Sequence, residues 1–188
     1  HHPLVRQARA AGISIISDID LFMSRVDAPV IGVTGTNGKS TVVLLVGHLL
    51  QASGLRCSVG GNLGVPALAL LDSPADVYVL ELSSFQLAHS AHLALASAGV
   101  LNITDDHRDW HGDLDSYRRA KERIYVKAEY SVGGRDCARS VSVRVDMSAS
   151  GANRWGVASL NEAQWLICDD TPLIAVSDLP LAGRHNVE

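Results

Sequence analysis

The sequence has little cysteine: three residues, Cys57, Cys137 and Cys168, in a chain of 188. They are odd in number, widely scattered and in no metal-binding spacing. That argues against a disulfide framework or a thiolate metal centre and points to a reducing compartment, the cytoplasm. Aromatic residues make up only 5 % of the chain, and 16 Lys and Arg stand against 20 Asp and Glu, a formal charge of -4. No basic run alternates with aromatics, so polymeric nucleic acid is not an expected partner. No apolar stretch approaches the roughly 20 residues that cross a bilayer, and the first residues lack the form of a signal peptide, so no membrane association is expected. Internal repeats and low-complexity linkers are also missing. The chain starts at His1-His2-Pro3 without Met and stops at GRHNVE, which suggests a piece of a larger protein.

What is present is a hydrophobic content of 47 %, enough to fill the core of one domain or a tightly joined pair. Val30 to Val33 is a β-branched run entering a glycine-rich loop, and Lys39 to Gln51 carries a helical stripe of Val42, Val43, Val46, Leu49 and Leu50. After Gly54 the pattern recurs. Arg56 to Val59 predicts a strand, GGNLG a turn and Pro66 to about Leu71 a helix; Asp76 to Leu82 and Gly99 to Ile103 predict further strands. Ser131 to Asp178 alternates less regularly, and runs such as WLIC and PLIAV suggest a small antiparallel annex. The expected fold class is α/β, an open, mostly parallel sheet flanked by helices. In such sheets functional groups gather beyond the carboxyl ends of strands, where the glycine loop, Asn62, Glu81 and His107 all fall.

The loop reads GVTGTNGKST. Position 33 is Val where a standard phosphate loop has its first Gly, so the strict spacing fails, yet Gly35 and Gly38 flank Thr36-Asn37 between a credible strand and a credible helix. Backbone N–H groups there could surround phosphate oxygens, with Lys39 reaching the terminal phosphates and Ser40 or Thr41 offering a hydroxyl to Mg²⁺. The alternative is a glycine-rich turn that caps a helix. Against it, a lysine in the first turn of a helix opposes the helix dipole unless an anion lies nearby.

Three further residues stand out. Glu81 sits in VLELSS among residues fit for burial, and a buried carboxylate is costly unless paired or metal-bound. His107, in NITDDHRDWH, follows a predicted strand beside Asp105, Asp106 and Asp109, which suits a metal or phosphate role as well as a surface loop. Leu114 to Ala128 predicts a helix whose apolar stripe is Leu114, Tyr117, Ile124, Tyr125 and Ala128, with Arg119, Arg123 and Lys127 on the opposite face. Lys121 falls inside the apolar stripe. It could snorkel to solvent, or it could be an inward amine, desolvated and easily deprotonated, able to take up CO₂ as a carbamate that ligates Mg²⁺.

GVTGTNGKST, GGNLG, ELSSFQL, NITDDHRD and YRRAKERIY, in this order and at these separations, resemble the central ATP-binding domain of the Mur ligases. The likeness is strong from Ile13 to Tyr125 and weaker to Pro180, and GGNLGVPAL with YVLELSSFQL is most similar to the members that add D-glutamate. The resemblance implies a phosphate-loop central domain over residues 1–188, without the N-terminal UDP-binding and C-terminal domains of an intact, monomeric ligase. The implied activity is phosphorylation of UDP-N-acetylmuramoyl-L-alanine by ATP and attack of D-glutamate on the acyl phosphate. By the same resemblance, Gly35, Thr36, Asn37, Gly38, Lys39, Ser40 and Thr41 would bind nucleotide, with Asn186 near the base. Asn62 and Ser83 would lie near the muramoyl substrate. Ser40 and Glu81 would hold one Mg²⁺, and His107 and carbamylated Lys121 a second. Where the family has an asparagine and paired acids, this chain reads SVGGRDC, with Gly134 and Cys137 replacing the asparagine and the second acid. Alternatives are another Mur or folate-type amide ligase, or a non-catalytic nucleotide-binding module.

Overall fold

The computed structural model describes residues 3–134, 137, 141–145, 154–169 and 171–179. Among these, the strands are β1 (Val30–Thr34), β2 (Cys57–Gly61), β3 (Val77–Glu81), β4 (Ser97–Val100), β5 (Tyr130–Gly133), β6 (Val143–Val145), β7 (Arg154–Leu160), β8 (Ala163–Cys168) and β9 (Thr171–Ala175). They form one sheet in the order β2-β3-β1-β4-β5-β6-β7-β8-β9. Pairing is parallel from β2 across to β7 and antiparallel among β7, β8 and β9. The mostly parallel sheet with an antiparallel annex is therefore present, and the annex extends the main sheet at one edge. The helices are α1 (Pro3–Ala10), α2 (Asp18–Met23), α3 (Lys39–Ala52), α4 (Ser84–His89), α5 (Arg108–His111) and α6 (Leu114–Glu122).

Strand alternation sends side chains to two cores. Val30, Tyr78, Leu80, Ala98 and Val100 face Ile19, Phe22, Leu87, Leu95, Tyr117 and Ile124 from α2, α4, α6 and the connecting segments. On the other face Val33 and Val79 pack against Val43, with Val42, Val46 and Leu50 of α3 around them. β1 is central, and its Gly32 has no room for a side chain, since an added Cβ would lie 2.8 Å from Leu95 and 3.2 Å from Ile124. A strand covered on both faces explains the continuous apolar run of β3, all five residues of which are buried.

Two predicted helices differ. The segment after Pro66 is a 3₁₀ turn, Ala67–Asp72, the tighter form that short pieces adopt. The helix predicted to Ala128 ends at Glu122 and passes into a 3₁₀ turn, Arg123–Tyr125. There Tyr125 is drawn to the sheet, its hydroxyl donating to Val132 O at 2.6 Å and accepting from Val100 N at 3.1 Å. Arg123 is exposed as expected, but it is not idle: its guanidinium donates to Leu87 O and Ser90 O at 2.8 and 2.6 Å and so holds the C-terminus of α4 against α6. Among the described residues no helix is long and apolar enough to cross a membrane.

Candidate active site

β1 ends at Thr34, and the chain crosses the carboxyl edge of the sheet as Gly35-Thr36-Asn37-Gly38 before α3 starts at Lys39. Gly38 caps α3 at φ 80°, a left-handed conformation that glycine adopts without steric cost. The first-turn amides of Lys39, Ser40 and Thr41 have no intrahelical acceptor and point out of the helix with its positive dipole end. Lys39 Nζ folds back onto Thr36 O at 2.9 Å.

Glu81 closes β3, 3 % exposed. Ser40 Oγ donates to its Oε2 at 2.7 Å, and Asn62 Nδ2 donates to its Oε1 at 2.8 Å. Asn62 arrives there because Gly61, at φ 97°, turns the end of β2 over Glu81; a Cβ on Gly61 would lie 2.5 Å from Glu81 O. Both donors are neutral, and among the described residues no Lys, Arg or His forms an ion pair with Glu81.

Lys121 enters from α6 and is 2 % exposed, so the snorkelling alternative does not hold. Its Nζ donates to Gly35 O at 2.7 Å, lies 3.5 Å from Thr34 Oγ1, and sits 4.6 Å from the centre of the Tyr117 ring. Burial, reinforced by the positive charge of Lys39 and only partly opposed by Asp106 and Glu81, lowers its pKa to about 7. Near neutral pH a substantial fraction of this amine is unprotonated.

His107 is exposed, at φ 51°, as the N-cap of α5. Its Nε2 is 3.5 Å from Asp106, and its ring meets those of Phe85 at 5.0 Å and Tyr117 at 6.0 Å. It thus reaches Lys121 through Tyr117 and not by direct contact. Ser83 caps α4: its Oγ accepts from Gln86 N and donates to Gln86 Oε1. Asn186 lies outside the described residues, as do Arg135 and Asp136 of SVGGRDC; Cys137 is buried beside Gly133. The structure therefore brings Lys39, Ser40, Asn62, Glu81 and Lys121 to the carboxyl ends of β1, β2 and β3, with His107 one ring away. No group of three or more His, Cys, Asp or Glu able to hold a metal occurs among the described residues. A cation at Glu81 would be completed by hydroxyl, water and phosphate oxygens, the set Mg²⁺ favours.

Several contacts escape sequence reasoning. Asn102 brackets Asn37, accepting from its N–H at 2.9 Å and donating to its O at 3.1 Å. Thr36 Oγ1 accepts from Thr104 N at 3.1 Å and is 3.2 Å from Tyr117 Oη. His111 Nε2 is 3.0 Å from the buried Ser84 Oγ; burial first, and then the charges of His107 and Lys121, lower its pKa. The local signal is a polar residue, Asn102, inside the run Gly99 to Ile103 that predicts a strand; the strand in fact ends at Val100. A cavity of about 1000 Å³ lies away from the loop, between α1, α4, α5 and α6, lined by His89, Trp110, His111, Arg119 and Arg123 among others.

A family model described as Mur ligase middle domain matches residues 33–188. The chain is 40 % identical over 193 aligned residues to the UDP-N-acetylmuramoylalanine–D-glutamate ligase of Vibrio vulnificus, covering 98 % of the chain and 44 % of that protein. It is 44 % identical over 191 residues to the ligase of the same name from Sodalis glossinidius, with the same coverages. The chain thus spans under half the length of these relatives. Among solved structures it is similar to the UDP-N-acetylmuramate:L-alanyl-gamma-D-glutamyl-meso-diaminopimelate ligase from Neisseria meningitides (TM-score 0.66, 19 % identity, 97 % of this chain and 65 % of that one). It is also similar to the MurF ligase of Thermotoga maritima solved with ADP (TM-score 0.62, 17 % identity, 82 % and 41 %). At these identities the two structures speak to the fold alone.

Proposed function

Because the chain belongs to the Mur ligase family, as a middle domain, we propose that it is the nucleotide-handling part of a ligase that uses ATP to join D-glutamate to UDP-N-acetylmuramoyl-L-alanine in peptidoglycan precursor synthesis. The relatives that carry that name match nearly all of the chain. The observation that carries the reading is Glu81: a buried carboxylate whose two donors, Ser40 and Asn62, are both neutral. Such a group retains its negative charge at a cost unless a cation joins it, and it stands beside a loop whose first-turn amides suit phosphates.

In this reading Lys39 and the amides of Lys39, Ser40 and Thr41 hold the ATP phosphates, and Gly35 to Gly38 shape the turn around them. Ser40 and Glu81 would hold one Mg²⁺, and a second would need His107 together with Lys121 as its carbamate; the low pKa of Lys121 favours the neutral amine, which takes up CO₂ with loss of a proton. Mg²⁺ bound there would screen charge on the transferred phosphoryl group. Asn62, and Ser83 at the start of α4, would orient the muramoyl carboxylate to attack the γ-phosphate, with ADP leaving as the acyl phosphate forms; the D-glutamate amine would then attack the acyl carbon, and inorganic phosphate and a proton leave. By the same resemblance Asn186, outside the described residues, would lie near the base. UDP and D-glutamate recognition belong to flanking N- and C-terminal domains of a monomeric, cytoplasmic protein, and the present chain alone binds Mg-ATP without turnover. The test supplies the full-length ligase with UDP-N-acetylmuramoyl-L-alanine, ATP and a panel of amino acids and identifies products by mass. The D-glutamate adduct is expected; a different amino acid in the product, or no ATP-dependent product, overturns the reading.

A further inference from the structure

The phosphate loop does not hold its shape by itself. Gly35 packs so closely against the segment after β4 that an added Cβ would lie 3.1 Å from Leu101 Cβ and 3.4 Å from Asn102 N. The parallel pairing of β1 with β4 ends at Thr34 and Val100, and from there Asn102 takes over. Its backbone carbonyl accepts from Thr36 N at 2.9 Å. Its side-chain Oδ1 accepts from Asn37 N at 2.9 Å, and its Nδ2 donates to Asn37 O at 3.1 Å. One asparagine thus fixes both faces of the Asn37 peptide linkages and the amide before them, continuing the strand ladder with a side-chain amide where the chain has left the strand.

We propose that Asn102 is a positioning residue for nucleotide, acting through the backbone of Thr36 and Asn37. The inference rests on the reading of this loop as an ATP site and adds a residue to it. The consequence is a division of labour among the loop amides. Those of Thr36 and Asn37 are spent on Asn102, so the phosphates are met by the amides of Gly38 and of the first turn, Lys39, Ser40 and Thr41. Thr36 O, the acceptor of Lys39 Nζ, is held at a fixed place by the same clamp, which sets where the lysine waits. Thr36 Oγ1, bonded to Thr104 N, ties the loop a second time to the segment that leads on to His107. Removing the side chain of Asn102 leaves the Asn37 N–H and C=O to solvent and lets the peptide rotate. The loop then has to be ordered by the nucleotide, at the expense of affinity.

The experiment measures steady-state kinetics and Mg-ATP binding of the full-length ligase with Asn102→Ala and Asn102→Asp. Asp retains the acceptor for Asn37 N–H and preserves size but turns its second carboxylate oxygen against Asn37 O and adds a negative charge beside the phosphates, so it carries the test if the alanine variant does not fold. For Asn102→Ala the KM for ATP and the Kd for Mg-ATP should rise about tenfold or more, the equivalent of about 1.4 kcal/mol. The KM values for the other two substrates and kcat at saturating ATP should stay within about threefold, and Asn102→Asp should raise the ATP parameters at least as much as Ala. A variant with unchanged ATP parameters overturns the inference, as does a uniform loss in kcat and every KM together with lowered thermal stability, the signature of a merely structural residue. Failure of the wild-type enzyme to bind Mg-ATP would instead remove the ligase reading and this inference with it.

Discussion

Replacing Lys121 with methionine should make the chain more stable while abolishing turnover of the full-length ligase. Lys121 is almost fully buried, and its pKa is lowered from 10.5 to about 7. At about 1.4 kcal/mol per pK unit, retaining the proton in this environment costs up to about 5 kcal/mol near neutral pH. Against that stand the bonds lost from Nζ to Gly35 O and Thr34 Oγ1, worth about 1–3 kcal/mol when a buried acceptor is left without its donor. A methionine of similar length packs on Tyr117 in place of the amine. The net expectation is a gain of up to about 2–4 kcal/mol, in line with buried charges replaced by apolar groups of like volume. The pH dependence has a definite sign. Because the folded pKa lies below the unfolded one, the folded state binds fewer protons between about pH 7 and 10.5, and wild-type stability rises with pH across that window. The advantage of Lys121→Met should therefore be largest below about pH 7, shrink as pH rises and, above about pH 10, give way to a deficit of about 1–3 kcal/mol from the lost Nζ bonds. Urea unfolding in CO₂-free buffer at several pH values measures it, CO₂ being excluded because a carbamate would change the charge of the wild type. A variant less stable than wild type at about pH 6.5, or a difference independent of pH, refutes the reasoning.

Glu81→Gln removes the charge but keeps the shape, and the Ser40 hydroxyl can rotate to accept from the new amide. Stability should change by less than about 1 kcal/mol, whereas Mg-dependent turnover of the full-length ligase should fall at least about 100-fold; a Mg²⁺ titration of initial rates checks it, and near-normal turnover would remove Glu81 from the cation site. Asp20 holds the loop after α4 to α2, accepting from Ala91 N and His92 N at 2.8 Å and from Ser17 N at 3.1 Å. Burial works to raise its pKa, but the N–H donors of His92, Ser17 and Ala91 outweigh it and the net shift is downward. That stabilisation is present above the ordinary carboxylate pKa of about 4 and is lost as pH falls through the lower folded value. Asp20→Asn should cost about 1–3 kcal/mol at pH 7, and the gap between the two proteins should narrow towards pH 2; denaturant curves at both pH values are the check, and a gap that widens in acid would contradict the assignment.

The parts of the fold that could be inferred from sequence are those written in local periodicity. β3 reads as a continuous apolar run because it is covered on both faces, and α3 reads as a stripe because one side of it packs on Val33 and Val79. Glu81, Asn62 and the loop could be singled out because in a parallel sheet the carboxyl ends of strands meet at one edge, whatever their separation in sequence. Lys121 was visible as a charge inside an apolar stripe. What could not be seen are bonds from a side chain to a distant backbone. Asn102 to Asn37 spans 65 positions and Arg123 to Ser90 spans 33, and neither leaves a spacing rule behind. The early end of α6 is of the same kind: nothing in YRRAKERIY says that Tyr125 will bond to Val100 and Val132 in preference to continuing the helix.

The three side-chain donors nearest the loop each have an acceptor inside the protein: Lys39 on Thr36 O, Lys121 on Gly35 O, Ser40 on Glu81. The two lysines bond to adjacent carbonyls of one loop and repel each other, which is part of why the Lys121 pKa is low. An anion placed against Lys39 would relieve that repulsion, and so would conversion of Lys121 to a carbamate, which turns a positive neighbour of Lys39 into a negative one. The two events differ in their effect on the loop. A phosphate competes with Thr36 O for Lys39, whereas a carbamate at Lys121 removes the positive charge, keeps one N–H able to donate to Gly35 O and adds two oxygens that can only accept. If Lys121 carries the carbamate before nucleotide arrives, the negative charge of Glu81 has a second anion nearby, and the case for a cation at the carboxyl ends of β1 and β3 becomes stronger, not weaker. Lys39 is then the positive group at this edge of the sheet that suits a polyphosphate, and it rests on Thr36 O, in the peptide whose N–H Asn102 accepts.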